Sequence, residues 1–258
     1  MTTRMRQYAD GVLSRVEQLA QLADDGGLDP AIELLTNAIQ GGAVLQAFGT
    51  GHSEAFAMEI AGRAGGLIPT NKIALRDVVL RGSRDAGALG GSTLERDPSI
   101  ADELWAVSPI QPGDVFLIAS NSGVNGSIVG LALLAKQHGH PVIAVTSMAH
   151  TMAVQPKHAS GKRLCDVADV VIDNLAPFGD ATIDLPPAQD GDSPDVPVGA
   201  VSSITSAFIA QLLTLGVAER INAAGQVPPL YLSANIPAGD AHNSALEARY
   251  AGRLNRGT

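Results

Sequence analysis

Two short stretches rich in glycine and hydroxyl-bearing residues have the composition of loops that bind a phosphate. GTGHS at residues 49–53 follows the predicted strand 44–48, and SNSG at residues 120–123 follows the apolar run 115–119. A loop that joins a strand to a helix directs backbone N–H groups and the positive end of the helix dipole towards one point. Glycine and serine are also ordinary turn residues, so each stretch alone is weak evidence. Together they predict one anion-binding site.

The residue types in these loops restrict the kind of anion. Neither loop has the lysine of a nucleotide-binding P-loop or the spacing of a dinucleotide fingerprint. Serine hydroxyls in place of lysine suit the phosphate monoester of a small molecule. The carboxyl ends of parallel strands are where open α/β sheets bind ligands, so we expect both loops to contact the same phosphate.

Three further residues could transfer protons. Glu59 has Arg63 four residues later, and this spacing favours a surface ion pair over a carboxylate that reaches the carbons of a bound sugar. His52 and His242 lie at predicted loop–helix junctions, where catalytic groups concentrate, but a structural role fits each of them equally well.

Other polar residues could contact the anion. HASGKR at residues 158–163 is either an exposed basic turn or an anion-binding cluster, and residues 71–97 predict a long loop that could act as a lid. The candidate contacts in addition to the two loops are Thr50, Ser147, His158, Ser160, Lys162 and Arg163.

The histidine spacing argues against a metal site. The histidines are residues 52, 138, 140, 150, 158 and 242, and no two have the i,i+4 spacing of a helical zinc pair. No cysteine stands near them. We therefore predict that the chain uses no metal and no cofactor.

The elements that position these residues alternate between strand and helix, which predicts a doubly wound α/β fold. Apolar periodicity predicts two helices within residues 1–41, before the first strand. Residues 179–197 predict an acidic, proline-rich loop, and residues 239–254 a C-terminal helix. The predicted strands are 44–48, 65–70, 115–119, 142–146, 170–172 and 227–233.

Composition and net charge restrict the binding partners and the cellular compartment that we expect for the protein. The chain has 258 residues, which we expect to form a single domain, and its net charge of -9 disfavours nucleic acid and anionic membranes. The uncharged stretch 196–218 is long enough to span a bilayer, but its serines, threonines and glutamine favour a helix buried in the protein or between subunits. A single cysteine, Cys165, and the lack of a signal-peptide pattern predict a cytoplasmic protein.

A resemblance to the SIS (sugar isomerase) domain family rests on motifs distributed along nearly the whole chain. They are FGTGHS, RAGGL, STLER, GDVFLIASNSG, HASGKRL, ADVVIDN, SAN and GDAHN. The resemblance implies a three-layer α/β/α fold of the flavodoxin or Rossmann-like kind, with a five-stranded parallel sheet and the N-terminal helical pair, in a homodimer or homotetramer. It implies phosphosugar binding by Gly51, Ser53, Ser120, Asn121, Ser122 and Asn125.

The same resemblance implies a reaction and two alternatives. Related heptose-phosphate isomerases convert an aldose to a ketose through an enediolate, and their base and acid correspond to Glu59 and His242, the latter contributed across a subunit boundary. In a lyase resembling the amino-sugar 6-phosphate etherases, Glu95 of STLER would be the acid or base. The second alternative is a phosphosugar sensor without catalysis.

Overall fold

Five parallel strands form the centre of the fold in a computed structural model that describes residues 3–91, 93–186 and 194–255. Their order in the sheet is β2-β1-β3-β4-β5. The strands are β1 (Leu45–Gly49), β2 (Thr70–Ile73), β3 (Val115–Ala119), β4 (Val142–Thr146) and β5 (Val170–Asp173). The order reverses where β1 pairs with β3, and open α/β sheets bind ligands at such a reversal.

Helices cover both faces of this sheet because its strands bury alternate side chains on opposite sides. Leu117 of β3 packs with the helices of one face, whereas Phe116 and Ile118 pack with those of the other. The first face is covered by α1 (Arg4–Asp24), α2 (Asp29–Gln40), α3 (Glu54–Ile60) and α9 (Ser202–Ala223). The second face is covered by α4 (Asp77–Leu80), α5 (Thr93–Arg96), α6 (Ile100–Val107) and α7 (Gly126–Gln137). The three-layer α/β/α fold and the N-terminal helical pair are confirmed.

Helix α9 explains the long uncharged stretch. Among the described residues it is the one helix whose length and composition would suit a membrane span. Its side chains Ile209, Leu213 and Val217 belong to the core beneath the first face, with at most 1% of each exposed. The helix begins at Ser202 and not at Val196, because residues 196–200 form a strand.

Two predicted strands are wrong, the first because prolines interrupt it and the second because its residues pair outside the sheet. The predicted strand 227–233 contains Pro228 and Pro229, which have no N–H to donate, and Leu230 forms only an isolated antiparallel bridge to Leu67. Because Leu67 pairs with Leu230 and not with a strand of the sheet, most of the strand predicted at 65–70 does not form. The observed strand, β2, begins at Thr70.

Two predicted loops contain regular structure. Residues 179–197 include β6 (Ala181–Leu185) and the start of β7 (Val196–Ala200), which pair as an antiparallel hairpin; residues 187–193 of that prediction lie outside the described residues. The predicted loop 71–97 contains most of β2 together with α4 and α5, and its Ser92 is also outside the described residues. Short helices without strong periodicity are difficult to recognise from sequence.

The remaining helices are α8 (Met148–Ala153), which follows β4, and α10 (Gly239–Glu247) near the C-terminus. Helix α10 begins at the loop–helix junction predicted near His242, whereas no helix was predicted at α8. Helix α8 stands at the carboxyl edge of the sheet, and this edge carries the candidate site.

Candidate functional site

A cavity of about 340 Å³ opens at the carboxyl edge of the sheet, above β1, β3 and β4. Its volume lies in the range of small-molecule sites. It is lined by Thr50, Gly51, His52, Ser53, Glu95, Ser120, Asn121, Ser122, Asn125, His150, Asp180, Ala200, Ser202 and Ser203. Both predicted phosphate loops therefore contribute to one cavity, as do Glu95 and His52.

The pairing of β1 with β3 brings the two loops together. Gly49 pairs with Ala119, so the strands end at the same level and the loops start side by side at Thr50 and Ser120. The first loop turns tightly into α3: a Cβ on Gly49 would lie 2.2 Å from the carbonyl oxygen of Ser53, so only glycine fits there. Ser53 makes no capping hydrogen bond, which leaves its hydroxyl available to a ligand.

Hydrogen bonds from β4 and α8 hold the second loop. Thr146 Oγ1 donates to the Ser120 carbonyl oxygen at 2.6 Å, and Thr151 Oγ1 donates to that of Ser122 at 3.0 Å. Within the loop, the Gly123 N–H donates to Ser120 Oγ at 3.1 Å. Because Ser120 Oγ already accepts this bond, its own hydrogen can be donated to an anion.

Helix α7 begins directly after the second loop and has twelve residues. Its N-cap residue, Asn125, makes no side-chain capping bond, and its side chain lines the cavity. The positive end of the α7 dipole therefore faces the cavity between uncommitted polar groups. Among the described residues, no lysine or arginine lines the cavity, so an anion bound here would depend on these dipoles, N–H groups and hydroxyls.

Glu95 reaches the cavity because α5 packs against the start of α7. Ser127 Oγ donates to the Glu95 carbonyl oxygen at 2.8 Å. A Cβ on Gly126 would lie 2.2 Å from the Arg96 carbonyl oxygen, so the glycine permits this close approach. On the other side, Glu95 Oε2 lies 3.6 Å from the position that a Cβ of Gly51 would occupy.

The residues that follow Glu95 are fixed by a small charged cluster. Hydrogen bonds from the side chain and backbone of Ser99, with a smaller contribution from Arg84, hold the pKa of Asp97 below its ordinary value against the opposing effect of burial. The hydrogen bond and charge of Arg84 likewise lower the pKa of Glu103. Both carboxylates favour the ionised form in which they anchor this segment.

The structure places the other two proposed proton-transfer residues outside this cavity. The Glu59 carboxylate forms an ion pair with Arg63 and accepts a hydrogen bond from Gln211 Nε2 at 2.6 Å. His242 Nε2 lies 3.0 Å from the Leu230 carbonyl oxygen. Neither residue lines the cavity within this chain.

Of the other candidate contacts, Thr50 lines the cavity, whereas the remaining five have partners elsewhere. Ser147 is fully buried and caps α8 by accepting from the His150 N–H at 3.0 Å. Arg163 donates to the carbonyl oxygens of Thr151 and Val154 at the end of α8. His158, Ser160 and Lys162 form a local turn through Ser160 Oγ and do not line the cavity.

Sequence reasoning missed the wall formed by His150, Asp180, Ser202 and Ser203. His150 follows a buried strand, as the two predicted loops do, so the same criterion could have identified it. Asp180 accepts hydrogen bonds from Ser202 N and Oγ at 2.8 and 2.7 Å, and this tertiary contact across 22 residues leaves no pattern in the sequence.

In the described ranges, no group of three or more histidine, cysteine, aspartate and glutamate side chains is placed to hold a metal ion. The absence of a cofactor stays a prediction.

The family profile of the SIS domain matches residues 7–147, more than half of the chain. The chain is 34% identical over 252 residues to a UPF0309 protein of Geobacillus kaustophilus, covering 97% of this chain and 95% of the relative. It is 33% identical over 244 residues to a UPF0309 protein of Halalkalibacterium halodurans, covering 93% and 94%. A phosphoheptose isomerase from Francisella tularensis aligns with a TM-score of 0.48 at 18% identity, covering 84% of this chain and 100% of that one. The chain belongs to the SIS-domain family, as the profile match over more than half of its length shows.

Proposed function

We propose that this protein binds a phosphorylated sugar at the carboxyl edge of the sheet and catalyses its aldose–ketose isomerisation. The observation that carries the proposal is the convergence of two hydroxyl-bearing loops and the Glu95 carboxylate on a single cavity. Asp180 also lines the cavity, but its carboxylate accepts hydrogen bonds from Val201 and Ser202. The loops would hold the phosphate, and that remote binding energy would orient the reacting carbons. Membership of the SIS-domain family supports the same substrate class.

Glu95 is the carboxylate best placed to move the proton. It takes the proton from the carbon next to the carbonyl, the C–H electron pair becomes the enediolate double bond, and the carbonyl electron pair moves to oxygen. Returning the proton to the neighbouring carbon, with transfer of one hydroxyl hydrogen between the two oxygens, gives the isomer. The atoms and electrons balance without a further reactant.

The family resemblance implies catalytic roles for Glu59 and His242, but the proposal assigns neither residue a step in catalysis. Both lie outside the cavity of this chain, so the roles that the family resemblance implies for them require a neighbouring subunit or a rearranged ion pair. A homodimer or homotetramer in a reducing cytoplasm is the setting we propose, and light scattering on the purified protein would measure the oligomeric state.

The position of Glu95 also supports a second candidate reaction, that of a lyase. Glu95 of the STLER segment could serve as the acid or base of a lyase resembling the amino-sugar 6-phosphate etherases, and it lines the cavity whereas Glu59 does not. Such a lyase would remove the same type of proton and then expel a lactyl group. Release of lactate from a lactyl ether of an amino-sugar 6-phosphate would identify this reaction, and a new ketose phosphate would identify the isomerase.

The proposal is tested by screening aldose and ketose phosphates in two stages. A ligand present at a hundredfold excess over its dissociation constant should stabilise the protein by about 2.7 kcal/mol, which a thermal-shift screen detects. Hits are then incubated in D2O, and NMR follows deuterium entering the carbon next to the carbonyl. Binding without exchange or turnover would overturn the enzymatic proposal and favour a phosphosugar sensor.

A further inference from the structure

His150 lines the cavity but takes no part in the reaction steps described above. It lies on α8, directly after β4, and is partly exposed. In the sheet, β4 neighbours β3 on the side opposite β1. His150 therefore approaches the cavity from the β4 side, whereas Glu95, close to Gly51, approaches it from the β1 side.

The surroundings of His150 fix which ring nitrogen carries the hydrogen. The Gly179 N–H donates to His150 Nδ1 at 3.2 Å, so the neutral imidazole carries its hydrogen on Nε2. Within the described residues, Nε2 has no recorded hydrogen-bond partner. The ring thus has one nitrogen engaged by the protein and one N–H available to a ligand in the cavity.

The ring is also held in position from several sides. Phe178 packs against it, with ring centroids 5.1 Å apart. Ser147 Oγ accepts from the His150 N–H at 3.0 Å and donates to the Ala176 carbonyl oxygen at 2.6 Å. The chain around residues 176–179 therefore binds the side chain of His150 directly and its backbone through the Ser147 hydroxyl. Such a fixed orientation is what a group acting on one substrate atom needs.

We propose that His150 is a catalytic residue of this cavity, whose Nε2–H donates to the carbonyl oxygen of the bound sugar phosphate. The inference rests on the function proposed above. As Glu95 takes the proton from carbon, the carbonyl oxygen gains negative charge, and an N–H aimed at that oxygen stabilises it. His150 passes its Nε2 hydrogen to this oxygen and takes the hydrogen of the neighbouring hydroxyl, so the imidazole ends as it began.

The main test compares His150→Phe with a matched control, His158→Phe. Phenylalanine keeps a ring beside Phe178 and removes the donor. The Nδ1 of His158 is likewise engaged by the protein, through Ser160 Oγ, but His158 lies outside the cavity. We expect kcat to fall about a hundredfold or more in His150→Phe, with KM changed only a few-fold, and His158→Phe to match the wild type. A kcat of His150→Phe within threefold of the wild type would overturn the inference.

A second variant separates catalysis from structural support. His150→Ala opens space for added imidazole, and we expect imidazole to restore part of its turnover while leaving Glu95→Gln inactive. His150→Gln, which keeps an N–H donor, should be faster than His150→Phe. A slow His150→Ala that imidazole does not rescue, together with a His150→Gln as slow as His150→Phe, would assign His150 a structural role and overturn the inference.

The wild-type protein distinguishes this inference from the function on which it rests. If the wild type turns over no sugar phosphate, the proposed function fails and the role of His150 fails with it. If the wild type is active and the His150 variants match it, only the present inference fails.

Discussion

Polar side chains at the two edges of the central sheet differ in whether the protein supplies their hydrogen-bond partners. At the amino edge, the fully buried Asp114 accepts hydrogen bonds from Val44 N, Gln46 Nε2 and Gln111 N at 2.9 to 3.0 Å, and it also pairs with Arg253. At the carboxyl edge, the hydroxyl of Ser53 and the amide of Asn125 make no capping bond although both residues line a cavity.

The difference indicates what each edge contributes. A buried carboxylate whose partners are all supplied by the protein stabilises the fold, because removing it would leave those partners without a bond. Polar groups that the protein positions but does not satisfy remain available to a ligand. Changes at the amino edge should therefore reduce stability, and changes at the carboxyl edge should reduce binding or turnover.

The largest effect is expected at Glu95. Glu95→Gln should lower turnover by about two to four orders of magnitude, because the amide cannot accept the proton, while sugar-phosphate binding stays nearly unchanged. The matched control is Glu59→Gln, which removes a carboxylate paired with the half-exposed Arg63 outside the cavity and should leave kcat within a few-fold. Steady-state kinetics measures both. Loss of turnover in Glu59→Gln alone would reverse the two assignments.

The next effect is on stability at the amino edge. Asp114→Ala should lower the free energy of unfolding by about 3 to 5 kcal/mol, because Arg253 and Gln46 lose a buried partner. Asp169→Ala is the matched control: Asp169 also accepts from a strand N–H, that of Val142, and pairs with Lys136, but its side chain is 38% exposed. Urea unfolding should show a clearly smaller loss of unfolding free energy for Asp169→Ala than for Asp114→Ala. Equal losses would contradict the expected difference between the buried and the exposed carboxylate.

A smaller effect is expected on affinity. Ser122→Ala removes one hydroxyl from the phosphate loop, and a hydrogen bond to a charged group contributes about 1.5 to 3 kcal/mol, so the dissociation constant should rise about ten- to hundredfold. Calorimetry with a sugar phosphate identified by the screen measures it. Ser160→Ala, outside the cavity, should bind as the wild type does, and equal weakening in both would remove the loop from the site.

The smallest expected effect is on the pH dependence of stability in acid. The pKa of Asp97 is lowered in the folded protein from its ordinary 3.8, so its contribution to stability is present above pH 3.8 and is lost as the pH falls through the lowered value. Asp97→Asn should therefore be less stable than the wild type at neutral pH, and the difference should shrink in strong acid. Urea midpoints at several pH values test this, and a constant difference would contradict it.

The sequence predicted the parts of the fold that depend on continuous apolar runs. The strands at 115–119 and 142–146 have the predicted bounds, because a strand buried on both faces needs an unbroken apolar run. The loop after β3 was predicted for a similar reason, because it begins where such a run ends, and the loop after β1 follows a mostly apolar segment that contains Gln46.

The remaining parts depend on contacts between distant residues. The i,i+4 pair of Glu59 with Arg63 is visible in the sequence, but its bond to Gln211, 152 residues away, is not. The orientation of His150 depends on Gly179, and the position of Glu95 depends on Ser127. The sequence places Arg163 in a basic cluster that could bind an anion. In the structure, its side chain donates to carbonyl oxygens at the C-terminal end of α8.

The most direct test of the central claim is a crystal structure of the protein soaked with a hexose 6-phosphate. The account predicts that the phosphate lies within hydrogen-bonding distance of Ser53, Ser120 and Ser122, with the sugar extending towards Glu95 and His150. A phosphate bound elsewhere while this cavity stays empty would contradict the account.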